Sequence, residues 1–302
     1  MESRKYPYSG LTADLLFRAQ SGQFGNLQPD PFLPSPSRVV VCSPNRGNLT
    51  QFTRKKSMPS ILSRMLWSPV KDRIKSRVCH GMGICYNPYG VPFELAKYIK
   101  DKKHLSIIDI GAFEGGFAES IERMCGLERA ILIEPQPDLA TKLRKNFSGG
   151  KYSVIEAAVG DREGVIEFQI NATNATSSIL ECRRDMPELE SVNVSLTKRA
   201  QCKLVTLDSV DLIERNRPWD LVKIDVQGAE HLVIKGGLVA LAHTRLMWVE
   251  VSFKRLYESA CLFGEIYDLL NSAGFSLKEL AGGFRGPTGE LLQADALFEK
   301  RP

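Results

Sequence analysis

The sequence predicts an α/β fold: a mostly parallel sheet with helices on both faces and a closing antiparallel pair at the C-terminal end. Three observations predict it. From residue 105 onward, short apolar runs alternate with helical patterns, the rhythm of strands joined by crossover helices. Leu105-Ser-Ile-Ile-Asp109-Ile is a β-branched run that leads into the glycine-bearing turn Gly111-Ala112-Phe113-Glu114-Gly115-Gly116, then into a helix with apolar residues at 117, 121, 124 and 125. Ala130-Ile-Leu-Ile-Glu134-Pro135 repeats the apolar run and ends on an acid.

The elements follow in order. Residues 93–100 predict a helix with Phe93, Leu95, Ala96 and Ile99 inward, entered through the turn-rich Asn87-Pro-Tyr-Gly-Val-Pro. The first strand is 105–110 and the second 130–134, with a helix at 137–146 and a third strand over 152–159. Gly160 to Gly164 is a turn, and Val165–Ile170 alternates as an antiparallel strand does. Lys203–Leu207 is a short strand, Asp220–Asp225 the fourth strand of the sheet, and a helix begins near Ala229. Leu246–Val251 is the fifth strand, Phe263–Ala273 a helix, and Leu277–Leu280 with Ala294–Glu299 the closing pair. Residues 171–200 are polar and without period. Such a stretch inside a compact domain suits a lid over a binding site.

Composition separates the N-terminal part from the rest. Residues 1–104 hold 17 Lys/Arg against 6 Asp/Glu, and residues 105–302 hold 23 against 29. The first 60 residues are rich in Pro, Ser, Gly and Asn, with only Arg38–Cys42 strand-like. The domain division expected is therefore a basic, loosely ordered extension over 1–80 and a folded domain over 81–302. Residues 60–77 carry apolar positions at helical spacing among basic ones. Such a helix can lie on an anionic membrane surface, but the reading taken is a helix packed on the domain with its charges in water. Nucleic acid is not the expected partner, because no binding motif accompanies the charge. No apolar run reaches the roughly 18 residues that span a bilayer, and no signal core follows Met1. The seven cysteines form no C-x-x-C pair. Reduced thiols, a cytoplasmic location and no metal site are the expectation.

Strand, tight turn and helix form the unit that binds nucleotide-like ligands at the carboxyl edge of a parallel sheet. Glycine lets the backbone approach the ligand there. An acid about 20 residues further on is placed for ribose hydroxyls, and Glu134 fits. The glycines at 111, 115 and 116 do not match the G-x-G-x-x-G spacing that admits a pyrophosphate. Asp109 beside the turn instead suits a ligand with an ammonium and a sulfonium, which describes S-adenosylmethionine. Lys223-Ile-Asp225-Val-Gln-Gly228-Ala-Glu230-His231 is the second informative stretch. Asp225 ends the fourth strand, Glu230 starts a helix, and the His231 imidazole titrates nearest neutrality. These three are the candidates to take a proton from an acceptor hydroxyl. Glu250, at the end of the fifth strand, is a further oxygen donor beside Asp225.

Together, Asp109-Ile-Gly111-Ala-Phe-Glu-Gly115-Gly-Phe, Ile133-Glu134-Pro135-Gln-Pro, Asn146, Ala157-Ala158-Val, Val205-Thr-Leu-Asp208 and Lys223-Ile-Asp225-Val-Gln-Gly-Ala-Glu230 resemble the FkbM-type methyltransferase family over about residues 85–300. The resemblance implies a Rossmann-like class I methyltransferase fold with a seven-stranded sheet, S-adenosylmethionine as methyl donor, and a hydroxyl acceptor on a small molecule, sugar or natural product. It implies that Asp109, Gly111, Ala112, Phe113 and Gly115 cradle the amino-acid part of the cofactor. Glu134 with Pro135 would hold the ribose, and Ala157 and Ala158 would border the adenine. Asp225 would close the pocket near the methyl. Two positions depart from the family's habit: Glu114, where Asn is common, and Gln227, where Glu is common. The alternatives left open are a non-catalytic nucleoside-binding or scaffolding protein of the same fold and an NAD-dependent oxidoreductase.

Overall fold

Period-two alternation along the strands sets the architecture of the domain. The computed structural model describes residues 90–190, 192–213 and 217–302. The expected extension over 1–80, with its strand at 38–42 and helix at 60–77, lies outside them. The described chain runs α1 (Phe93–Ile99), β1 (Leu105–Ile110), α2 (Gly116–Cys125), β2 (Leu127–Ile133), α3 (Pro137–Asn146), β3 (Tyr152–Ile155), β4 (Ala158–Gly160) and β5 (Gly164–Asn171). It continues with β6 (Leu196–Thr206), α4 (Leu207–Ile213), β7 (Trp219–Ile224), α5 (Glu230–Lys235), α6 (Leu238–Ala242), β8 (Thr244–Ser252), α7 (Phe263–Ser272), β9 (Phe275–Ala281) and β10 (Gln293–Lys300).

Seven strands form one sheet in the order β3-β2-β1-β7-β8-β10-β9. All neighbours pair in parallel except β10, which is antiparallel to both β8 and β9. The α/β class and the closing antiparallel strands are as predicted. Each face has its own core. Ile108, Ile110, Val222, Ile224, Met247 and Val249 point to one face, under α5 to α7. Leu105, Ile107, Leu132, Leu221, Trp248 and Leu297 point to the other, under α1 to α3. A strand buried on both faces reads as a continuous apolar run, which is why β1 and β7 stand out in the sequence.

Departures from the predicted elements have local causes. The predicted third strand breaks at Glu156-Ala157, because β4 leaves the main sheet and pairs in parallel with β6 in a second sheet of order β4-β6-β5. β5 is the predicted antiparallel strand, and its partner β6 is longer than the five residues expected. The first half of β6, Leu196 to Ala200, is mostly exposed and carries no apolar alternation. Helix α4 starts at Leu207, the last residue of the expected strand, and α6 is only five residues long. The stretch 171–200 contributes two short 3₁₀ turns, Asn174–Thr176 and Pro187–Leu189. The second belongs to a third apolar cluster formed by Cys182, Met186, Leu189, Val194, Leu256, Tyr257, Ala260 and Leu292.

The second sheet is docked through a close backbone approach. A Cβ added at Gly236, after α5, would lie 2.0 Å from the carbonyl oxygen of Gly160 in β4. Neither partner is a flexible side chain, so a larger residue must push the two segments apart. We expect Gly236→Ala to lower unfolding free energy by about 1–3 kcal/mol, the usual cost of overpacking. The exposed Leu238→Ala nearby should change it by less than about 0.5 kcal/mol. Urea unfolding of both variants checks this, and equal stabilities would refute the close approach.

Candidate active site

The turn after β1 is shaped by three backbone constraints. Gly111 has φ +74°, and a Cβ there would lie 1.8 Å from the backbone oxygen of Asp225. Only glycine lets the ends of β1 and β7 come this close. The N–H groups of Gly111 and Ala112 both donate to the Ile133 carbonyl at 3.0 Å, tying the turn to the end of β2. Phe113 has a positive φ of 52° and donates its N–H to Glu134 Oε2 at 3.0 Å, while the Gln136 N–H donates to Glu134 Oε1 at 3.0 Å. Glu134 therefore clamps two loops with one buried carboxylate. Burial pushes its carboxyl above the ordinary glutamate range, against the pull of these N–H groups.

Near the carboxyl edge of the sheet, four charged strand residues share one face. Counting by twos, Asp109 follows Ile107, Lys223 follows Leu221, Glu250 follows Trp248 and Asp295 precedes Leu297. Cross-strand register places Asp109 opposite Lys223 and Glu250 opposite Asp295. Lys223 Nζ lies 3.3 Å from Asp109 Oδ1 and 3.4 Å from Asp225 Oδ2, and it donates to the Gly111 carbonyl at 3.1 Å. Burial alone would push the ammonium's pKa down; the two carboxylates outweigh that and raise it. Asp109 is completely buried, and its pKa is raised by burial against the pull of Lys223.

A cavity of about 270 Å³ opens at this edge. Of the residues expected to bind cofactor, Gly111, Ala112, Phe113, Glu134, Pro135, Ala157 and Ala158 line it, as does the catalytic candidate Asp225. Asp109 and Gly115 do not. Asp109 lies beneath the turn as the counter-charge of Lys223. Gly115 has φ +85° and serves packing, since a Cβ there would lie 2.2 Å from the Phe147 ring. Glu230 and His231 also stand outside the lining. Glu230 Oε1 accepts the N–H groups of Val226 and Gly228 at 3.2 and 3.1 Å, so the carboxylate closes the turn after β7. His231 is buried on α5, its pKa lowered first by burial and then by Lys235. From the expected lid, Asn174, Ala175, Ser177 and Ile179 reach the cavity.

Gln227 is the functional residue least foreseen. It holds a positive φ of 59° and bridges two carboxylates, its Nε2 donating to Asp225 Oδ1 and Glu250 Oε2 at 2.8 Å each. Its Oε1 accepts the hydroxyl of the buried Tyr257 at 3.0 Å. Gln293 Nε2 donates to the same Glu250 oxygen at 2.9 Å. Burial, then the neighbouring Asp225, Glu230 and Asp295, push Glu250 well above the ordinary range. Asp295 is raised to about 6, chiefly by burial. Strained non-glycine backbone at both Phe113 and Gln227 is typical of ligand sites.

Glu230 offers a test of this reading through pH. Burial raises its pKa from 4.5 to about 7. The folded state therefore holds a proton that the unfolded state has released, and stability from this group falls as pH rises from about 4.5 to 7. Glu230→Gln keeps the acceptor oxygen and removes the charge. Its stability should match the parent at pH 5 and exceed it by roughly 1–3 kcal/mol at pH 8. Chemical unfolding at the two pH values measures this, and a difference independent of pH would contradict it.

Comparison with known proteins agrees with the geometry. Residues 109–277 match the Methyltransferase FkbM domain. The 2-O-methyltransferase NoeI of Sinorhizobium fredii (strain NBRC 101917 / NGR234) is 31% identical over 202 residues, covering 62% of this chain and 77% of that protein. Among solved structures, the methyltransferase FkbM from Methylobacillus flagellatus KT aligns with a TM-score of 0.44 at 14% identity, over 70% of this chain and 48% of that one. The present chain thus spans about half of that structure's length. The magnesium protoporphyrin IX methyltransferase (ChlM) from Synechocystis PCC 6803 aligns with a TM-score of 0.40 at 9% identity, over 82% of this chain and 87% of the other. On the strength of the domain match and the NoeI relative, the chain belongs to the FkbM methyltransferase family, and its cofactor is S-adenosylmethionine.

Proposed function

We propose that this protein methylates a hydroxyl group of a small-molecule or sugar acceptor, with Asp225 as the residue that meets the hydroxyl. The observation that carries the reading is the position of Asp225. It is a carboxylate on the cavity wall with a side chain 35% exposed, held between Lys223 and Gln227. The relative named as a 2-O-methyltransferase supports oxygen as the target atom.

The residues present fit the cofactor. Gly111, Ala112, Phe113 and Gly116 of the turn line the cavity, and a Cβ at Gly116 would point into open space, so a ligand can lie close to this backbone. Glu134 has one N–H on each oxygen, which leaves lone pairs for the two ribose hydroxyls. Ile133, Pro135, Ala157, Ala158 and Phe168 offer apolar surface for an adenine. When bound, the cofactor supplies an electrophilic methyl carbon, so the protein's work is to position the acceptor and remove its proton. In our reading Asp225 accepts that proton. Lys223 balances its charge and fixes one oxygen, while Gln227 fixes the other. Glu230 and His231 have no such place, because one carboxylate closes a turn and the imidazole is buried away from the cavity. Glu250, the further oxygen donor beside Asp225, has the Gln227 amide nitrogen between it and Asp225.

Among the described residues no helix is long and apolar enough to cross a membrane. Cys125, Cys182, Cys202 and Cys261 all carry free thiols, which supports a reducing, cytoplasmic setting.

Asp225→Asn separates a role toward the acceptor from one toward the donor. Turnover should fall by about 10²-fold or more while S-adenosylmethionine affinity stays within about threefold. Single-turnover methyl transfer and calorimetry measure the two quantities. A fully active variant would remove Asp225 as the base, and lost affinity with normal turnover at saturation would make it a cofactor ligand.

A further inference from the structure

A second cavity, of about 130 Å³, meets the first at Gln227. Its walls are Cys182, Leu189, Val192, Val194, Leu256 and Phe284, drawn from the third apolar cluster. Among the described residues, Gln227 alone lines both cavities. The polar groups at the inner end are satisfied by one another. Gln227 and Gln293 donate to Glu250, and the single Tyr257 hydroxyl proton is shared between the Thr176 carbonyl at 2.9 Å and Gln227 Oε1 at 3.0 Å. Six of its ten lining residues are apolar, and the polar ones at the inner end are engaged with one another, so the cavity favours an apolar occupant. An engineered apolar cavity of about 150 Å³ holds benzene, which sets the scale.

We propose that the second cavity is an acceptor subsite for a phenyl-sized apolar group, and that Gln227 is the specificity-determining residue between it and the methyl-transfer position. This rests on the reading that the first cavity holds the cofactor and that Asp225 meets the hydroxyl. The acceptor is then amphipathic: a hydroxyl directed to Asp225, joined to an aromatic ring or an alkyl group of similar size that enters past Gln227. The wall that the two cavities share at Gln227 argues for one ligand that reaches both. The apolar walls are built from connecting segments rather than from the sheet, so they are free to be shaped by the ligand without disturbing either main core.

The test uses 4-fluorobenzyl alcohol as probe and the full chain saturated with S-adenosylhomocysteine. Binding is followed by fluorine NMR, with phenyl β-glucoside and methyl β-glucoside as competitors. The proposal expects saturable probe binding, displacement by the phenyl glycoside but not by the methyl glycoside, and affinity weaker by about tenfold or more in Val192→Phe, which fills the cavity from a half-buried wall. If that variant does not fold, Phe284→Trp narrows the same space. Absence of probe binding, equal competition by the two glycosides, or unchanged affinity in a folded filled variant would overturn the subsite. Calorimetry with S-adenosylhomocysteine alone tells this failure from failure of the cofactor reading. Should the nucleoside not bind, the same titrations without it decide the subsite by the same outcomes.

Discussion

One buried ammonium organises the carboxyl edge of the sheet. Lys223 lies within 3.4 Å of both Asp109 and Asp225 and donates to the carbonyl of Gly111. It thereby joins the interior of β1, the turn that follows, and the end of β7. A buried charge taken from water is costly, and its partners repay that cost only when geometry is good. Here the ammonium donates one hydrogen bond, to the Gly111 carbonyl, and holds the two carboxylates as ion pairs at 3.3 and 3.4 Å. The same residue explains why an acid can stand in the middle of an apolar strand. Asp109 would be strongly destabilising in its fully buried position without a cation beside it.

From this centre the chemistry spreads along one face. Glu134, Asp109, Asp225, Glu250 and Asp295 follow one another across β2, β1, β7, β8 and β10, with Lys223 as the cation among them. Gln227 and Gln293 hold Glu250 through amide hydrogen bonds. Of these groups Glu134, Asp225 and Lys223 line the cavity, so acids outnumber the cation on its wall. A cofactor with a sulfonium and an ammonium is well matched to such an edge. The carboxylates do not play one role: Glu134 shapes the loops, Asp109 anchors the cation, and Asp225 is the one that reaches solvent on the cavity wall.

Much of this was legible before any coordinates. β-branched runs mark β1, β2 and β7, and Pro137 marks the start of α3. An acid near a strand end suits a ligand, whereas Asp109 is fully buried beneath the turn. Its parity with Leu105 and Ile107 already assigns it to the face covered by α2. The same parity, Leu221 to Lys223 to Asp225, was the available signal for Lys223. Other features had no local signal. Gly115 answers to the Phe147 ring more than thirty residues away in sequence. Gln227 adopts a left-handed backbone that its residue type does not announce. Glu230 stands at a helix start, where sequence shows only a favoured charge, while its bonds to the Val226 and Gly228 N–H groups depend on the backbone of the turn before it. The exposed half of β6 lacks the alternation that burial imposes.

The central claim is that the Lys223 charge holds the carboxylates in place, and urea unfolding of Lys223→Met at pH 7 and pH 5 tests it most directly. Removing the ammonium leaves Asp109 buried without compensation, so the variant should be about 3–5 kcal/mol less stable than the parent at pH 7. Burial already raises the pKa of Asp109 with the cation present. Without the cation the folded state takes up a proton more readily still, so the deficit should shrink as the pH falls to 5. A deficit below about 1 kcal/mol at pH 7, or one that does not change with pH, would contradict the account.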